Sequence, residues 1–539
     1  MTAAAAQVVA AGRRLQRVER VRPLYVLSAL VVVDWLTILA VALTVRHNGW
    51  LYYQGTDQLP HYLTAWLLAH GHLAHTPVGY AWAIVLLPFA LLGGPNLMEP
   101  LPFVVLLNVL VLMPIALASV YGIGRRIGGR LFGYWTAALW ILVPLVGIKY
   151  ADAGYHQRYT EFLLPQSLGL TASSAFPSLV ALAAAAYFVV RAVQEDDAFD
   201  AVFAGLLAGL ALAIDPPNAP FLAGAGLALL VARRWSALVR FGLAVLPFFL
   251  VLLVWTGHGV DLHPHVDASW HTLTGQFAGL QENFWSARVA EWLPVGGAVA
   301  LLRRSRPVAA LVAGWFACVI VVTWANARGG DIYSTSVLQH TIPAIPAALL
   351  LLAAIPLLAP GLPHRLPAPE RDGAWGAPRL RLGLAGAAVA LFVLLPLALS
   401  QLLPQLGANE TVAFALAAEP GFQGAPAAPV DSSWHPTIRR ANGTVTVSWP
   451  ALRPLGGAMS YLLLRSGGND ATPECTPAPG GPECALLGTI LGPTSLTSFV
   501  DHPAAGAWTY RVAGIASWIR DPAQGTVYVL GRPVAVSAG

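Results

Sequence analysis

The sequence predicts a polytopic α-helical membrane protein of about eleven transmembrane helices, followed by a small all-β sandwich. The first reason is composition, because charged residues make up 11% of the 539 residues, hydrophobic residues 56%, and mean hydropathy is +0.63. A soluble chain of this length needs about 25% charged residues to cover its surface, so most of this chain must face lipid. The second reason is a series of long apolar runs, and the third is an alternating apolar pattern near the C-terminus.

The apolar runs define the predicted transmembrane domain over residues 1–404. The predicted spans lie near 24–45, 101–122, 131–148, 175–192, 199–214, 218–232, 237–256, 292–302, 307–325, 341–358 and 382–401. The run at 79–93 is predicted as a membrane-surface or re-entrant helix, because counting it as a span breaks the alternation of basic loops described next.

Basic residues are distributed unevenly between the two sets of predicted loops. Nineteen basic residues fall in one set, which includes the N-terminus, and five fall in the other. The five are Arg46, Lys149, Arg158, Arg288 and Arg328. The positive-inside rule therefore places the N-terminus inside and the C-terminal domain outside a cytoplasmic membrane. One lysine against thirty arginines indicates a GC-rich, prokaryotic genome.

The predicted outer loops are long and polar, at about 46–100, 149–174, 257–291 and 326–340. They hold eleven of the fourteen histidines and many of the carboxylates. Connectors rarely need fifty residues, so these loops predict a site assembled at the outer membrane surface. The alternative is solvated loops that only join helices.

The C-terminal region changes in composition. Residues 405–436 are rich in Ala, Pro and Gly and predict a linker, and residues 437–539 contain short alternating runs typical of strands. The region resembles a fibronectin type III domain, in which Trp449 and Tyr510 stand at the positions of a buried strand-B tryptophan and a strand-F tyrosine. Trp434, Trp508 and Trp518 are the candidates for exposed tryptophans that could stack on a glycan, and packing of all three in the sandwich or against the membrane domain is the alternative.

Two of the three cysteines, Cys475 and Cys484, bracket a Pro/Gly-rich loop. They predict a disulfide if this region faces an oxidising compartment, and two reduced loop cysteines are the alternative. Cys318 lies in an apolar run and is predicted to be inert.

Several motifs occur in order over residues 24–235. They are LYYQGTDQLPHY with HTPVGY in the first outer loop, GIGRRIGGRLFG, KYADAGY, and GLLAGLALAIDPPNAP leading to VARR. This order resembles the GT-C superfamily of membrane glycosyltransferases, especially the protein-mannosyltransferase and aminoarabinose-transferase branch. The resemblance implies a GT-C-like fold and inverting transfer of a sugar from a polyprenyl-phosphate donor, at the outer face of the membrane, to a glycan, lipid or protein acceptor.

Under this hypothesis Asp57 is the general base and Asp152 its partner or an acceptor ligand. The alternative for Asp57 is an N-cap of the helix that begins near Leu59. Lys149, Arg158, Arg288 and Arg328 are the predicted contacts to the donor phosphate, although interfacial basic residues also anchor helices to lipid headgroups. His61 and His156 are predicted to bind substrate.

No resident cofactor is predicted beyond a possible divalent metal. His263, His265 and Asp267, in DLHPHVD, are spaced to converge on such an ion, and substrate hydrogen bonds or plain loop polarity are the alternatives. Asp34 is an acid within the first span and is predicted to form a hydrogen bond with a neighbouring helix, the alternative being a functional group.

Two other classes of function remain open at the level of sequence. A transporter would place ionisable groups at mid-membrane, where only Asp34 qualifies. A receptor or scaffold displaying the β-domain would not need long polar loops between spans. No nucleic-acid partner is predicted, because the net charge of +5 reflects loop sidedness rather than a basic patch.

Overall fold

The protein was analysed as a computed structural model. It describes residues 21–45, 57–76, 78–93, 97, 100–150, 159–195, 197–257, 287–326, 341–359, 375–405, 430–431, 434–441, 444–451, 458–467, 489–494, 497–503, 506–517 and 526–538. The chain forms two compact units. One comprises 1–46, 106–253 and 262–397, and the other 47–105, 254–261 and 398–539.

The membrane-spanning part is helical. Its α-helices are α1 (Pro23–Thr44), α2 (Gln58–Ala69), α3 (Tyr80–Gly93), α4 (Leu101–Leu107), α5 (Met113–Tyr150), α6 (Leu164–Ser167), α7 (Ala175–Gln194), α8 (Ala198–Ile214), α9 (Pro220–Val231), α10 (Trp235–Thr256), α11 (Ala287–Arg304), α12 (Arg306–Asn326), α13 (Ile345–Ala354), α14 (Pro378–Val389) and α15 (Leu395–Leu402). Short π-helical segments occur at Asn108–Leu112, Tyr159–Leu163 and Ala390–Leu394, and 3₁₀ turns at Pro216–Asn218, Ile342–Ala344 and Ile355–Leu358.

Five of these helical stretches are long and apolar enough to cross a membrane, and five shorter apolar helices accompany them in the described part of the chain. The long ones are Pro23–Thr44, Leu101–Val146, Ala175–Gln194, Trp235–Trp255 and Pro378–Leu402. This composition is that of a polytopic helical membrane protein. The number of eleven spans stays a prediction, as does a surface position for α3.

The two spans predicted at 101–122 and 131–148 pack side by side as the two halves of a helical hairpin, because the Trp140 indole donates to the Met113 sulfur at 3.2 Å and the Thr136 hydroxyl to the carbonyl of Val120 at 3.3 Å. The only departures from helical geometry within α5 are at Gly128 and Gly129, where Gly129 has a φ of 82°. Glycine adopts this left-handed conformation without the steric cost of a Cβ. The predicted loop between the spans is therefore a tight break at two glycines.

Four of the loops predicted on the inner side are joined by ion pairs and one hydrogen bond. Arg126 and Arg191 both bond to Glu195, at 2.6 and 3.0 Å, and Arg191 also bonds to Asp200 at 2.9 Å. Arg381, at the start of α14, pairs with Asp197 at 2.5 Å. The Arg304 guanidinium donates to the carbonyl of Ile127 at 2.7 Å. These loops therefore share one end of the bundle, and the side of the membrane that this end faces stays a prediction.

Small residues allow close helix contacts in the same unit. A Cβ built on Gly205 would lie 2.4 Å from the carbonyl oxygen of Phe241, and one on Gly209 would lie 2.5 Å from the ring of Phe248. Both contacts join α8 to α10. Gly224 of α9 is similarly close to the backbone of Trp315 in α12. Such small-residue contacts hold membrane helices together where lipid removes the hydrophobic driving force.

The C-terminal region forms two sheets. Their strands are β1 (Val430–Asp431), β2 (Thr437–Ala441), β3 (Thr444–Ser448), β4 (Ala458–Gly467), β5 (Thr489–Thr494), β6 (Ser498–Asp501), β7 (Gly506–Ser517), β8 (Thr526–Gly531) and β9 (Val534–Ala538). One sheet has the order β2-β3-β6. The other has the order β1-β8-β7-β4-β5, with β9 also paired to β7. All pairs are antiparallel except β1 with β8.

Residues of both sheets pack into one core, which comprises Trp434, Val445, Val447, Trp449, Tyr461, Leu463, Tyr510 and Val512. The predicted strand runs are thus confirmed, and Trp449 and Tyr510 are buried as the resemblance implies.

Of the two alternatives for Trp434, the structure supports packing in the sandwich and contradicts exposure. Its side chain is 4% exposed, and its indole N–H donates to the carbonyl of Pro450 at 2.8 Å. Trp508 is half-buried beneath the Arg465 guanidinium, whose carbon lies 4.7 Å from the ring centre. Trp518 lies outside the described residues.

Candidate functional site

The helix α2 carries the one pair of predicted site residues that the described part of the chain places in contact. It starts at Gln58, and Pro60 is accommodated because the first helical turn has N–H groups without intrahelical acceptors. The helix ends at Ala69, where the His70 amide bonds back to the last turn and Gly71 has a φ of 78°.

Asp57 stands at the N-cap position of α2, which begins at Gln58, one residue before the start near Leu59 that the sequence predicted. Its side chain accepts no capping hydrogen bond from the backbone of α2. Instead the carboxylate points along the helix, and Oδ2 lies 3.8 Å from Nε2 of His61 one turn later. The Asp57 side chain is 13% exposed and that of His61 is 2% exposed. The Asp57 carboxylate is therefore partly accessible at the rim of the packed helices, and the His61 imidazole is enclosed between them.

Burial lowers the pKa of His61 from 6.5 to about 4, and the nearby Asp57 carboxylate opposes this shift only in part. The imidazole is therefore neutral at neutral pH. Its Nδ1 has no hydrogen-bond partner among the described residues. A neutral imidazole with one unused ring nitrogen can donate or accept one further hydrogen bond, depending on its tautomer.

The segment that follows α2 folds back along the helix. The hydroxyls of Thr64 and Thr76 lie 3.0 Å apart, and Thr64 also donates to the carbonyl of Pro60 at 2.7 Å. The buried Leu73 donates its N–H to the carbonyl of Pro404, at 3.0 Å. Thr76 of the HTPVGY motif thus holds the segment after α2 against the helix.

Asp57, His61 and Thr64 recur at helical spacing and form a polar stripe on α2, which is otherwise mostly apolar. Gln58 adds a fully buried amide at the start of the helix. Burial of a polar side chain is costly unless it forms hydrogen bonds. Asp57 and His61 were predicted as site residues, whereas Gln58, Thr64 and Thr76 were not. The i, i+3/i+4 spacing of polar residues could have revealed Gln58 and Thr64.

Most of the other predicted site residues cannot be placed. Asp152, His156, Arg158, His263, His265, Asp267, Arg328, Cys475 and Cys484 lie outside the described residues. Lys149 belongs to α5 and Arg288 to α11, but the positions of their side chains are not described. The described residues contain no group of three or more His, Cys, Asp or Glu side chains that could hold a metal ion.

The arrangement on α2 is suited to proton transfer at the edge of a helix. The Asp57 carboxylate can accept a proton from a hydroxyl or amine that reaches the rim. The neutral His61 can hold the carboxylate or the incoming group by a hydrogen bond without adding positive charge.

No protein-family model and no curated protein matches the sequence. Among solved structures, the chain is similar to the apo form of the oligosaccharyltransferase of Archaeoglobus fulgidus, with 14% identity and a TM-score of 0.38 over 73% of this chain and 58% of that chain. It is also similar to AglB of the same organism in complex with an inhibitory peptide and a dolichol-phosphate, with 13% identity, a TM-score of 0.37, and coverage of 73% and 57%.

A third structure is the Archaeoglobus fulgidus oligosaccharyltransferase with Zn and sulfate, at 14% identity and a TM-score of 0.37 over 72% of this chain and 55% of that chain. The chain thus spans less than three-fifths of the length of these enzymes. Similarity at this level does not assign the chain to a family, and its activity is a matter for proposal.

Proposed function

We propose that this protein is a GT-C-type membrane glycosyltransferase that moves a sugar from a polyprenyl-phosphate donor to an acceptor at the outer face of the cytoplasmic membrane. The acceptor is a glycan, a lipid or a protein. The observation that carries the proposal is the Asp57–His61 pair, because it combines a rim carboxylate with a buried neutral imidazole in the loop where the resemblance requires an acid.

In this mechanism Asp57 removes the proton of the acceptor while the acceptor attacks the anomeric carbon, and the bond from that carbon to the phosphate oxygen breaks. Direct displacement inverts the configuration of the sugar. The leaving polyprenyl phosphate keeps its lipid tail in the bilayer, so the reacting carbon stays near the membrane surface, where long polar loops are predicted.

The other predicted roles belong to the same proposal. Asp152 assists Asp57 or binds the acceptor, and His156 contributes a hydrogen bond to the substrate. Lys149, Arg158, Arg288 and Arg328 supply positive charge to the departing phosphate. A divalent metal at His263, His265 and Asp267 is an optional addition to this charge.

We assign the C-terminal β-domain a binding role. Its two sheets and the buried Trp449 and Tyr510 support a fibronectin type III-like sandwich. The Arg465–Asp501 ion pair and the Tyr510 hydroxyl, which donates to Asp501 at 2.7 Å, stabilise the core of this sandwich rather than form a reactive centre. The domain, joined by the 405–436 linker and closed by a Cys475–Cys484 disulfide, positions an acceptor.

The decisive experiment measures sugar transfer by the purified protein in lipid vesicles. Labelled polyprenyl-phosphate mannose, glucose and aminoarabinose serve as donors, and a cell-envelope extract of the source organism supplies the acceptor. We expect Asp57→Asn to fold normally and to lower turnover by roughly 10²–10⁴-fold, the usual contribution of a general base. His70→Gln is the matched control on the same helix and should retain wild-type turnover, because His70 is exposed.

The outcomes separate the hypotheses. If Asp57→Asn keeps near wild-type transfer, the base lies elsewhere and Asp152→Asn is tested next. If the wild-type protein transfers no sugar from any of the three donors, the receptor or transporter hypothesis replaces the enzyme hypothesis.

A further inference from the structure

The first helix carries an acidic residue in an unusual environment. Most of the surface of α1 is exposed and apolar, with Val33 49% and Leu36 60% exposed. One stripe is buried instead, formed by Asp34, Ile38 and Val41. Asp34 is 2% exposed and lies at the middle of the helix.

No side chain of the described residues neutralises Asp34. Its Oδ2 is buried and lacks a hydrogen-bond partner there, and the carboxyl forms no ion pair with the described residues. The sequence predicted a hydrogen bond from Asp34 to a neighbouring helix. It is the next residue, Trp35, that makes one, because its indole N–H donates to the carbonyl of Val109 at 2.9 Å.

The segment that meets α1 beside Asp34 carries no charged side chain. The helix α1 packs against α5, and Trp35 contacts Val109, where residues 101–124 contain Tyr121 as their single titratable side chain. The basic residues of α5 follow this segment, at Arg125, Arg126, Arg130 and Lys149, and none of the three described arginines pairs with Asp34. The Tyr121 ring stacks on Tyr134 with 5.3 Å between ring centres. On α1 and its N-cap, the other titratable side chains are Arg22 and Tyr25, and both are exposed.

Two other buried carboxylates of the described chain are paired with arginines. Asp200 is fully buried and accepts a hydrogen bond from Arg191 at 2.9 Å. Asp501, in the β-domain, pairs with Arg465 at 2.8 Å. An arginine therefore compensates each of these two carboxylates, whereas no arginine of the described residues pairs with Asp34.

We propose that Asp34 is an intramembrane proton-binding site, in which a bound proton takes the place of the arginine. A carboxylate without a countercharge is strongly disfavoured at membrane depth, whereas the neutral acid is tolerated. The acid can also donate a hydrogen bond, which the carboxylate cannot. Loss of the proton would leave a buried anion between α1 and α5, so the bound proton maintains the contact between these helices.

The test uses N,N′-dicyclohexylcarbodiimide, an apolar reagent that enters the bilayer and reacts with protonated carboxyl groups. The full-length protein in lipid vesicles is treated at neutral pH in a choline buffer, and modified peptides are identified by mass spectrometry. We expect modification of Asp34 and none of Asp200, the matched buried carboxylate that is paired with Arg191. Protection of Asp34 by added Na⁺ or K⁺ would overturn the proposal in favour of a metal cation.

A second measurement does not depend on access of the reagent. The infrared spectrum of the wild-type protein at neutral pH should contain a carboxylic-acid C=O band that Asp34→Asn removes. Asp34→Asn is isosteric with the neutral acid, so this variant should fold and retain the α1–α5 contact. An unchanged acid band, or a carboxylate band that Asp34→Asn removes, would overturn the proposal.

Discussion

His61 is uncharged over the physiological pH range, because its ring is enclosed by the packing around α2. The Asp57 carboxylate therefore faces a neutral hydrogen-bonding group rather than a cation. Asp57 and His61 were predicted separately, as a base and a substrate-binding residue, although four residues apart in a helix is the spacing of neighbouring side chains. The sequence could not show which of the two side chains is buried, because burial depends on residues distant in the chain.

Protonation of His61 should destabilise the fold in acid. The unfolded chain binds this proton near pH 6.5 and the folded chain only near pH 4, so folded stability is lost as pH falls from 6.5 towards 4. The full loss is about 3 kcal/mol, at about 1.4 kcal/mol per pKa unit. We expect the Tm of the wild-type protein to fall over this range more steeply than the Tm of His61→Gln.

His70→Gln is the control for this pH profile. His70 lies at the exposed C-terminal end of the same helix, so this variant should keep the wild-type profile. If His61→Gln and the wild type show the same pH dependence, His61 takes up its proton in the folded state at an ordinary pH.

The glycines of the GLLAGLAL run, in the helix hairpin α8–α9, have a packing role. This run was one element of the GT-C resemblance. Gly205 and Gly209 are four residues apart on the face of α8 that meets α10. Small residues at this spacing allow two helix backbones to approach closely.

A methyl group at Gly205 should separate these helices. Its Cβ would lie 2.4 Å from a backbone oxygen, which cannot move without shifting α10. We expect Gly205→Ala to destabilise the protein by about 1–3 kcal/mol, seen as a lower Tm in detergent. Gly226→Ala is the matched control, because none of the described atoms lies within 4 Å of its new Cβ.

An alanine in the interior of a helix is favoured over glycine by up to about 1 kcal/mol. Gly226→Ala should therefore leave the Tm unchanged or raise it. Equal destabilisation by both substitutions would mean that the α8–α10 contact is not what restricts position 205.

Element positions were predictable from the sequence to different degrees. The strands from Thr437 onward were clear, because alternation and turn residues both marked them. The turn between the spans at 101–122 and 131–148 was marked by the interruption GIGRRIGGR, and in the structure it is confined to Gly128 and Gly129. Its exact position was not predictable, because several glycines in this run could have supplied it. The burial of Trp434 stayed open because a tryptophan in a Pro/Ala-rich segment gives no periodic sign of the sheets that cover it.

The arrangement of loops at the scale of the whole molecule follows the charge asymmetry of the sequence. Arg126, Arg191, Arg304 and Arg381 come from four different predicted inner loops, and their contacts lie at one end of the bundle. Contacts of this kind relate the loops to one another. They do not determine which side faces the cytosol, and that part of the topology depends on the positive-inside rule.

Cysteine labelling in intact cells tests this orientation. A membrane-impermeant maleimide should modify Arg440→Cys, in the β-domain, and should spare Glu370→Cys, in a predicted inner loop. The parent chain provides the background of its three native cysteines. Labelling of position 370 with protection of position 440 would place the Asp57 loop in the cytosol and would remove the proposed outer-face reaction.

The hydrogen bond from Leu73 to Pro404 has a consequence for biosynthesis. Its two residues are separated by most of the chain, so the ribosome must complete the last membrane helix before Leu73 meets its acceptor. Until then the loop after α2 lacks one of its fixed points, although α2 itself is among the first segments made. The segment after α2 is thus translated early and gains this contact late. A nascent chain that stops short of Pro404 should be inserted in the membrane with this loop unfinished.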